Sequence, residues 1–240
     1  MTTHIYAQDV LDFWFGHYAL LHPAHADAPA HLAATVNNYT ALWFQKSDQT
    51  DLNITERFLP LLAPSALPVL HSWRDTPAGR VASTVVVDQF SRNMFRGQSR
   101  AFAADYLAQS WALESIALGD LDTLPALLQV FLLLPLEHAE DVGLQNQSVS
   151  LFESLQAKHP GCAAMANLTG FARKHQVIIE RFGRFPHRNA ALNRSSTAEE
   201  QAFLKQPAQG FKALVRWGWP INTVTCREWS WATPHRCHSE

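Results

Sequence analysis

The chain has 240 residues, of which 47% are hydrophobic and 17% charged, and its formal net charge at pH 7 is -2. This length suits one large domain or two small ones, and the composition excludes disorder over most of the chain. Because the net charge is nearly zero, neither nucleic acid nor an anionic membrane is expected as a partner, and any anion binding must be local.

The opening residues, MTTHIYAQDV, lack the basic segment and apolar run of a signal peptide. The longest strongly apolar run, Ala126 to Leu136, is too short to span a bilayer. Three cysteines, Cys162, Cys226 and Cys237, cannot form an even disulfide framework. Together these features predict a soluble cytoplasmic protein.

Helix signals dominate the chain. Thr76 and Pro77 suit an N-cap and a first helical position, and Thr197 precedes the glutamates of a capping box. Gly183 follows an amphipathic stretch, where a left-handed C-cap is expected. The spacing of apolar residues predicts helices at residues 5–20, 33–44, 50–62, 66–74, 77–95, 99–118, 122–133, 136–157, 161–182 and 197–205.

One segment, Val85 to Val87, could instead be a buried strand. Helix is favoured because no partner strand is evident and the polar residues that follow share one helical arc. Helices with short connections predict an all-α antiparallel array, either a bundle or a solenoid of helical pairs. No repeat of fixed period is visible, so any solenoid would be degenerate.

The composition changes near the end of the chain. From Lys212 onward there is no helical period, and this stretch holds half of the eight tryptophans. We therefore expect a single helical domain over residues 1–211 and an irregular, Trp-rich tail over 212–240. The spacing of the metal-capable tail residues matches no common zinc signature, and these residues are Cys226, His235, Cys237 and His238.

The segment DQFSRNMFR predicts a polar helix face. At about 100° per residue its polar side chains fill one arc and its apolar side chains the opposite arc. The polar arc combines carboxylate, guanidinium and amide groups, on Asp88, Gln89, Arg92, Asn93 and Arg96. Guanidinium groups suit carboxylate or phosphate ligands, and amides suit neutral polar groups.

The segment LEHAEDVGLQNQ predicts an acidic counterpart to this face. Glu137, Asp141 and Gln145 follow each other at intervals of four residues and form one stripe, with His138 on its flank.

The segment RFGRFPHRN predicts an irregular loop. Gly183 can end a helix and Pro186 cannot continue one, while burial of Phe182 and Phe185 would fix the loop in place. Polar side chains on such a loop can converge on one point, and they are Arg184, His187, Arg188 and Asn189.

Two interpretations of these charged segments remain open. In the structural one, arginines and carboxylates pair inside the protein, Arg181, Arg184 and Arg188 with Glu137, Asp141 and Asp88. In the functional one they line a cleft for a small ligand. The functional interpretation is favoured because the cations outnumber the nearby carboxylates, counted as Asp88, Glu137, Glu140 and Asp141.

No cofactor and no metal site are predicted. His138 and Asp141 could contribute ligands together with Glu137, His187 or His175, but the usual metal motifs are absent and clustered arginines repel a dication. Motifs for a side-chain nucleophile and a phosphate loop are also absent. In an enzyme, the general base would be His138 or His187, oriented by Glu137 or Asp141.

Several segments resemble a bacterial family of uncharacterised proteins, domain of unknown function 924. They run in order from about Val10 to Phe211 and read FWFG, WFQKSDQTDLNITERF, DQFSRNMFRG, LPLEHAED and RFGRFPHRNAALNRSSTAEEQAFL. Ala139 and the three valines from Val85 to Val87 depart from the family pattern. The resemblance implies a tetratricopeptide-like helical superhelix and no established reaction.

We therefore predict an all-α, tetratricopeptide-like fold with a central charged cleft. The expected ligand is a small anionic or zwitterionic metabolite; the alternative is a scaffold that binds a peptide or protein partner, with the charged residues as internal clamps. The candidate ligand-binding residues are Asp88, Arg92, Asn93, Arg96, Glu137, His138, Asp141, Arg184, His187 and Arg188.

Overall fold

The computed structural model describes residues 4–206, and within this range it contains helices and no strand, which confirms the all-α class. The predicted Trp-rich tail lies outside the described residues. The α-helices are α1 (Ala7–Phe15), α2 (Pro23–Ala26), α3 (Pro29–Phe44), α4 (Asp48–Phe58), α5 (Leu67–Trp73), α6 (Pro77–Val85), α7 (Ser91–Met94), α8 (Asp105–Ala117), α9 (Ala126–Glu137), α10 (Val142–Lys158), α11 (Ala163–Phe182) and α12 (Ala198–Lys205).

Short segments of other helix types connect several of these elements. Between α6 and α7 the chain makes a π-helical turn, Val86–Phe90, so the three valines that could have formed a strand are helical. The 3₁₀ segments are Gly16–Leu20, Leu59–Leu62, Pro64–Ala66, Ser99–Phe102, Asp120–Asp122 and Pro186–Arg188.

The helix ends predicted from capping residues are confirmed. Thr76 accepts a hydrogen bond from the backbone N–H of Gly79 at the start of α6. Thr197 and Glu200 form a reciprocal capping box at the start of α12. Gly183 ends α11 in the left-handed conformation, with φ of 68°. Other boundaries differ: α9 begins after Pro125 rather than at residue 122 and continues through Pro135 to Glu137, so the predicted break between residues 133 and 136 is wrong, and α10 begins at Val142.

The core is centred on α6 and α9. Every residue of α9 is buried, and α6 packs against α1, α5, α8 and α9. Aromatic rings from the N-terminal helices complete this core: Phe131 of α9 contacts the rings of Trp14, Phe15 and Trp43. Since α6 contacts helices far away in sequence as well as its neighbours, the packing goes beyond nearest-neighbour stacking, and the tetratricopeptide-like arrangement stays a prediction.

The C-terminal half is built from longer helices. α10 packs extensively against both α9 and α11, and short connections join the three. None of the helices within residues 4–206 combines the length and the apolar character needed to cross a membrane.

A buried ion pair ties α6 to the segment before α9, and its removal should destabilise the fold. Arg80 donates to both carboxylate oxygens of Asp120 at 2.6 and 2.7 Å and to the carbonyl of Arg74 at 2.6 Å. We expect Arg80→Ala to lower the free energy of unfolding by about 3–5 kcal/mol, because Asp120 stays buried without its partner. Urea unfolding measures this change.

The matched control is Arg173→Ala, which breaks the exposed pair of Arg173 with Glu153. It should cost about 1 kcal/mol or less, because water solvates both groups once they separate. Equal losses in the two variants would contradict the structural role of the buried pair.

Candidate functional site

The candidate site forms around Asp88 on the π-helical turn. π-helical turns are rare in proteins, and those that occur often lie at functional sites. The turn buries the Asp88 side chain to 1% exposure, and its carboxylate accepts from Gln89 Nε2 at 2.6 Å. Arg92 adds an ion pair of 2.9 Å to the same carboxylate and donates to the Asp88 carbonyl at 2.8 Å. Asp88 is thus a buried charge with several partners.

His138, which follows α9, completes the shell of Asp88. Its Nδ1 lies 2.9 and 3.0 Å from the two Asp88 carboxylate oxygens. Since an ionised carboxylate only accepts hydrogen bonds, Nδ1 carries the proton in the neutral ring. The His138 side chain is 15% exposed, and its Nε2 has no hydrogen-bond partner among residues 4–206. The ring is thus held through Nδ1 alone, and the side chain keeps a small exposed fraction.

Two arginines share one carboxylate next to this pair. Arg92 and Arg188 each donate to Asp105 Oδ2 at 3.0 Å. Arg188 also donates to the carbonyl of His138 at 2.9 Å. Its guanidinium lies between the rings of Phe102 and Phe185, 4.7 and 4.5 Å from their centroids. Phe185 of the predicted loop and Phe102 of the segment Ser99–Phe102 thus hold a buried cation against the site.

A second carboxylate–histidine pair lies behind the first. Glu137 Oε1 and His175 Nδ1 are 2.9 Å apart, and both side chains are buried. The rings of His138 and His175 are 6.3 Å apart, and the His187 ring lies 5.5 Å from Phe185. We call the whole group the central cluster; its members are Asp88, Arg92, Asp105, Glu137, His138, His175, His187 and Arg188.

Burial and charge shift several pKa values in the central cluster. Burial alone would raise the pKa of Asp88, but Arg92 and His138 outweigh it and hold this pKa well below its usual range. Burial lowers the pKa of His138 despite the opposing effect of Asp88. Burial and the charge of Arg188 place the pKa of His187 well below its ordinary value. Burial, reinforced by Arg92, lowers the pKa of Arg188 to about 10.

The structure brings together only part of the predicted site. Asp88, Arg92, Glu137, His138, His187 and Arg188 belong to the central cluster. The remaining candidates lie elsewhere: Asn93 and Arg96 bind Asp51 of α4, Arg184 binds Glu200 of α12, and Asp141 caps α10 by accepting from Leu144 N.

The sequence prediction missed several carboxylates, and it also assigned the wrong partner to His138. The arginines are not in surplus, because they pair with acidic residues left out of the count: Arg96 with Asp51, Arg181 with Glu199, Arg184 with Glu200 and Arg188 with Asp105. The pairings proposed in the structural interpretation also differ from these. The residue that orients His138 is Asp88, rather than Glu137 or Asp141. Among the missed carboxylates, only Glu199 and Glu200 were marked by a sequence motif, the capping box, and that motif indicated a helix start rather than an arginine partner.

Residues 4–206 hold no group arranged for a metal ion, and a cavity that they form lies away from the central cluster. No group of three or more His, Cys, Asp or Glu side chains in the described part of the chain is arranged to hold a metal ion. A cavity of about 650 Å³ lies at the turn between α10 and α11, where its lining includes His159, Cys162 and Arg173. None of the predicted site residues lines this cavity.

The structure so far defines an all-α protein in which carboxylates, histidines and arginines converge on a π-helical turn. Residues 10–208 match the model of a family described as bacterial protein of unknown function (DUF924), and the chain belongs to this family. The solved structure of a protein of unknown function from Agrobacterium tumefaciens, ATU0120, is similar, with 32% sequence identity and a TM-score of 0.64. The match covers 83% of this chain and 96% of that chain. No curated protein matches.

The buried histidines should make stability depend on pH. Because folding lowers the pKa values of His138 and His187, the unfolded chain binds more protons below its own histidine pKa of about 6.5. The two neutral histidines therefore contribute their full stability above a pH of about 6.5, and this stability is lost as the pH falls below that value. We expect the free energy of unfolding to decrease between pH 7 and 5, by at most about 1.4 kcal/mol per pH unit for each histidine.

Urea unfolding of His187→Gln over the same range tests the assignment. The variant should lose stability less steeply on acidification than the wild type, because one titrating group is gone. His31→Gln, which changes an exposed histidine of α3, should retain the wild-type slope. A wild-type slope in His187→Gln would contradict the buried, neutral state of this histidine.

Proposed function

We propose that the central cluster binds a small polar metabolite that is anionic or, preferably, zwitterionic. The proposal rests on one observation: the side chains of a histidine, an arginine and an aspartate are each partly exposed next to buried charged groups, and one oxygen of the aspartate, the buried Asp105 Oδ1, has no partner among residues 4–206. The side chains of Arg92, His138 and Asp105 are 18%, 15% and 14% exposed. A ligand there meets one donor group and two acceptor groups.

Charge balance favours a zwitterion over a simple anion. Arg92 and Arg188 are matched by Asp88 and Asp105, and the lowered pKa of His138 keeps its ring neutral near pH 7. An anion alone would have to compete with Asp105 for the guanidinium groups. A molecule with both charges could bind Arg92 with its acidic group and Asp105 with its basic group.

Unsatisfied polar atoms in the central cluster support a functional role. Asp105 Oδ1, Glu137 Oε2 and Arg188 Nε are buried and have no hydrogen-bond partner in the described part of the chain. Each such atom costs about 1–3 kcal/mol, so a group that served only as a clamp would be expected to satisfy them. Three such atoms within one group of ion pairs fit a site that trades stability for function, although other unsatisfied atoms, such as Arg74 Nη1 and Ser148 Oγ, lie outside the central cluster.

A second candidate function is a scaffold for a peptide or protein, with a tetratricopeptide-like superhelix. The ion pairs outside the central cluster favour the scaffold function, because they join helices that are separate in sequence. Arg96 of the α7 end binds Asp51 of α4 at 2.7 Å through two nitrogens, and Arg194 binds Glu140 at 2.6 and 2.9 Å. These arginines would be internal clamps, and the partner would bind a helical surface elsewhere.

Thermal unfolding in the presence of phosphate, dicarboxylates and amino acids, each tested alone, would decide between the two. A compound present at ~100 times its Kd adds about 2.7 kcal/mol to the free energy of unfolding, which raises the Tm measurably. We expect amino acids or related zwitterions to stabilise the wild type. Arg92→Lys should abolish this shift, because the ammonium keeps the charge next to Asp88 but loses the planar fork of donors.

Arg184→Ala is the matched control, because Arg184 binds Glu200 outside the central cluster. It should retain the ligand-induced shift even if its own Tm changes. A shift lost equally in Arg92→Lys and Arg184→Ala would point to a general effect of stability. Absence of any shift in the wild type, with capture of a peptide on a helical surface, would favour the scaffold.

A further inference from the structure

The geometry of His138 goes beyond what ligand binding requires. A histidine that only binds a ligand need not have a fixed tautomer, whereas a general base needs its free nitrogen unprotonated and aimed. Here both oxygens of Asp88 hold Nδ1 within 3.0 Å, which leaves the lone pair on Nε2. Asp88 is itself fixed by Gln89 and Arg92, so the orientation of the ring is set by two layers of contacts.

We propose that His138 is a catalytic general base that activates water to hydrolyse an ester of the metabolite bound at the central cluster. This inference rests on the proposed function, because the cluster must first bind the ester. Asp88 is a positioning residue in this scheme: it orients the ring and stabilises the imidazolium that forms during the reaction.

Two side-chain nucleophiles within residues 4–206, Ser91 and Cys162, are unsuitably placed, which favours water as the reactant. Ser91, the hydroxyl next to the π-helical turn, is buried and donates to the carbonyl of Val87 at 2.7 Å. Cys162 lines the cavity at the α10–α11 turn, which contains no member of the central cluster. His138 Nε2 would therefore act on a water molecule rather than on a serine or cysteine.

The step balances with water as the only co-reactant. His138 Nε2 takes a proton from water, and the electron pair of that O–H bond is left on the oxygen, which attacks the acyl carbon. The π electrons of the carbonyl move to its oxygen, whose charge the partly exposed guanidinium of Arg92 can stabilise. When the carbonyl re-forms, the bond to the alcohol oxygen breaks, and the proton on Nε2 passes to that oxygen.

Two chromogenic esters test the proposal with the full chain: the p-nitrophenyl ester of alanine, which carries an ammonium group, and p-nitrophenyl acetate, which does not. We expect the wild type to hydrolyse both, with the larger kcat/KM for the alanine ester, because a bound ammonium group would supply the partner that Asp105 Oδ1 lacks among residues 4–206. His138→Gln should lower kcat/KM by about 100-fold or more, the usual contribution of a general base. His31→Gln should match the wild type.

The pH profile separates catalysis from a structural role. Wild-type kcat/KM should rise to a plateau with a midpoint below the ordinary histidine value of about 6.5, since burial lowers the pKa of His138. Asp88→Asn should reduce the plateau and move the midpoint further down, because the carboxylate raises this pKa. This variant changes Asp88 alone, so any shift of the midpoint is due to the lost carboxylate. The other charged or titratable groups around His138 are unchanged in sequence, and they are Arg92, Glu137, His175, His187 and Arg188.

Circular dichroism and the Tm of each variant establish that it is folded, and His138→Ala with added imidazole provides a second test. Rescue of hydrolysis by imidazole would support His138 as the base. Equal hydrolysis by the wild type and His138→Gln would overturn the inference, and so would a wild type that hydrolyses neither ester. If the wild type still shows the ligand-induced rise in Tm, only the catalytic inference falls; without that rise the proposed function falls as well.

Discussion

The burial of the Asp88 charge is the constraint on which the rest of the site depends. A carboxylate removed from water is costly unless cations and hydrogen-bond donors surround it. Its partners come from two parts of the chain: Gln89 and Arg92 from the same helical run, and His138 from the end of α9. Helix α9 must therefore end beside the π-helical turn. Asp88 thus adds an electrostatic link to the apolar packing that already holds the central helices together.

The two arginines next to Asp88 also need partners for their charges. Arg92 and Arg188 repel each other, and Asp105 of α8 makes their proximity possible by accepting from both at 3.0 Å. The rings of Phe102 and Phe185 cover the Arg188 guanidinium and contribute cation–π attraction in place of water. Phe185 and Arg188, from the segment after α11, are therefore parts of one arrangement with Phe102: the two rings hold a buried guanidinium that reaches the carbonyl of His138.

The parts of this arrangement that sequence could predict are local. Asp88 and Arg92 are four residues apart on one helix, and Gly183 and Pro186 mark the end of α11. The carboxylate partners were beyond reach because they are remote: Asp51 lies 45 residues from Arg96, and Asp105 lies 83 residues from Arg188. Counting only neighbouring acids therefore produced a false surplus of cations. Pairing over such distances is decided by the packing of whole helices.

The polar face predicted after Asp88 is divided in the structure. A helical wheel at 100° per residue places Asn93 and Arg96 on the same face as Asp88 and Arg92. A π turn holds more residues than an α turn, so the residues after it are rotated relative to that wheel. Asn93 and Arg96 accordingly contact Asp51 of α4, whereas Arg92 reaches Asp105 of α8. A single predicted polar face is thus divided between a clamp and the central cluster.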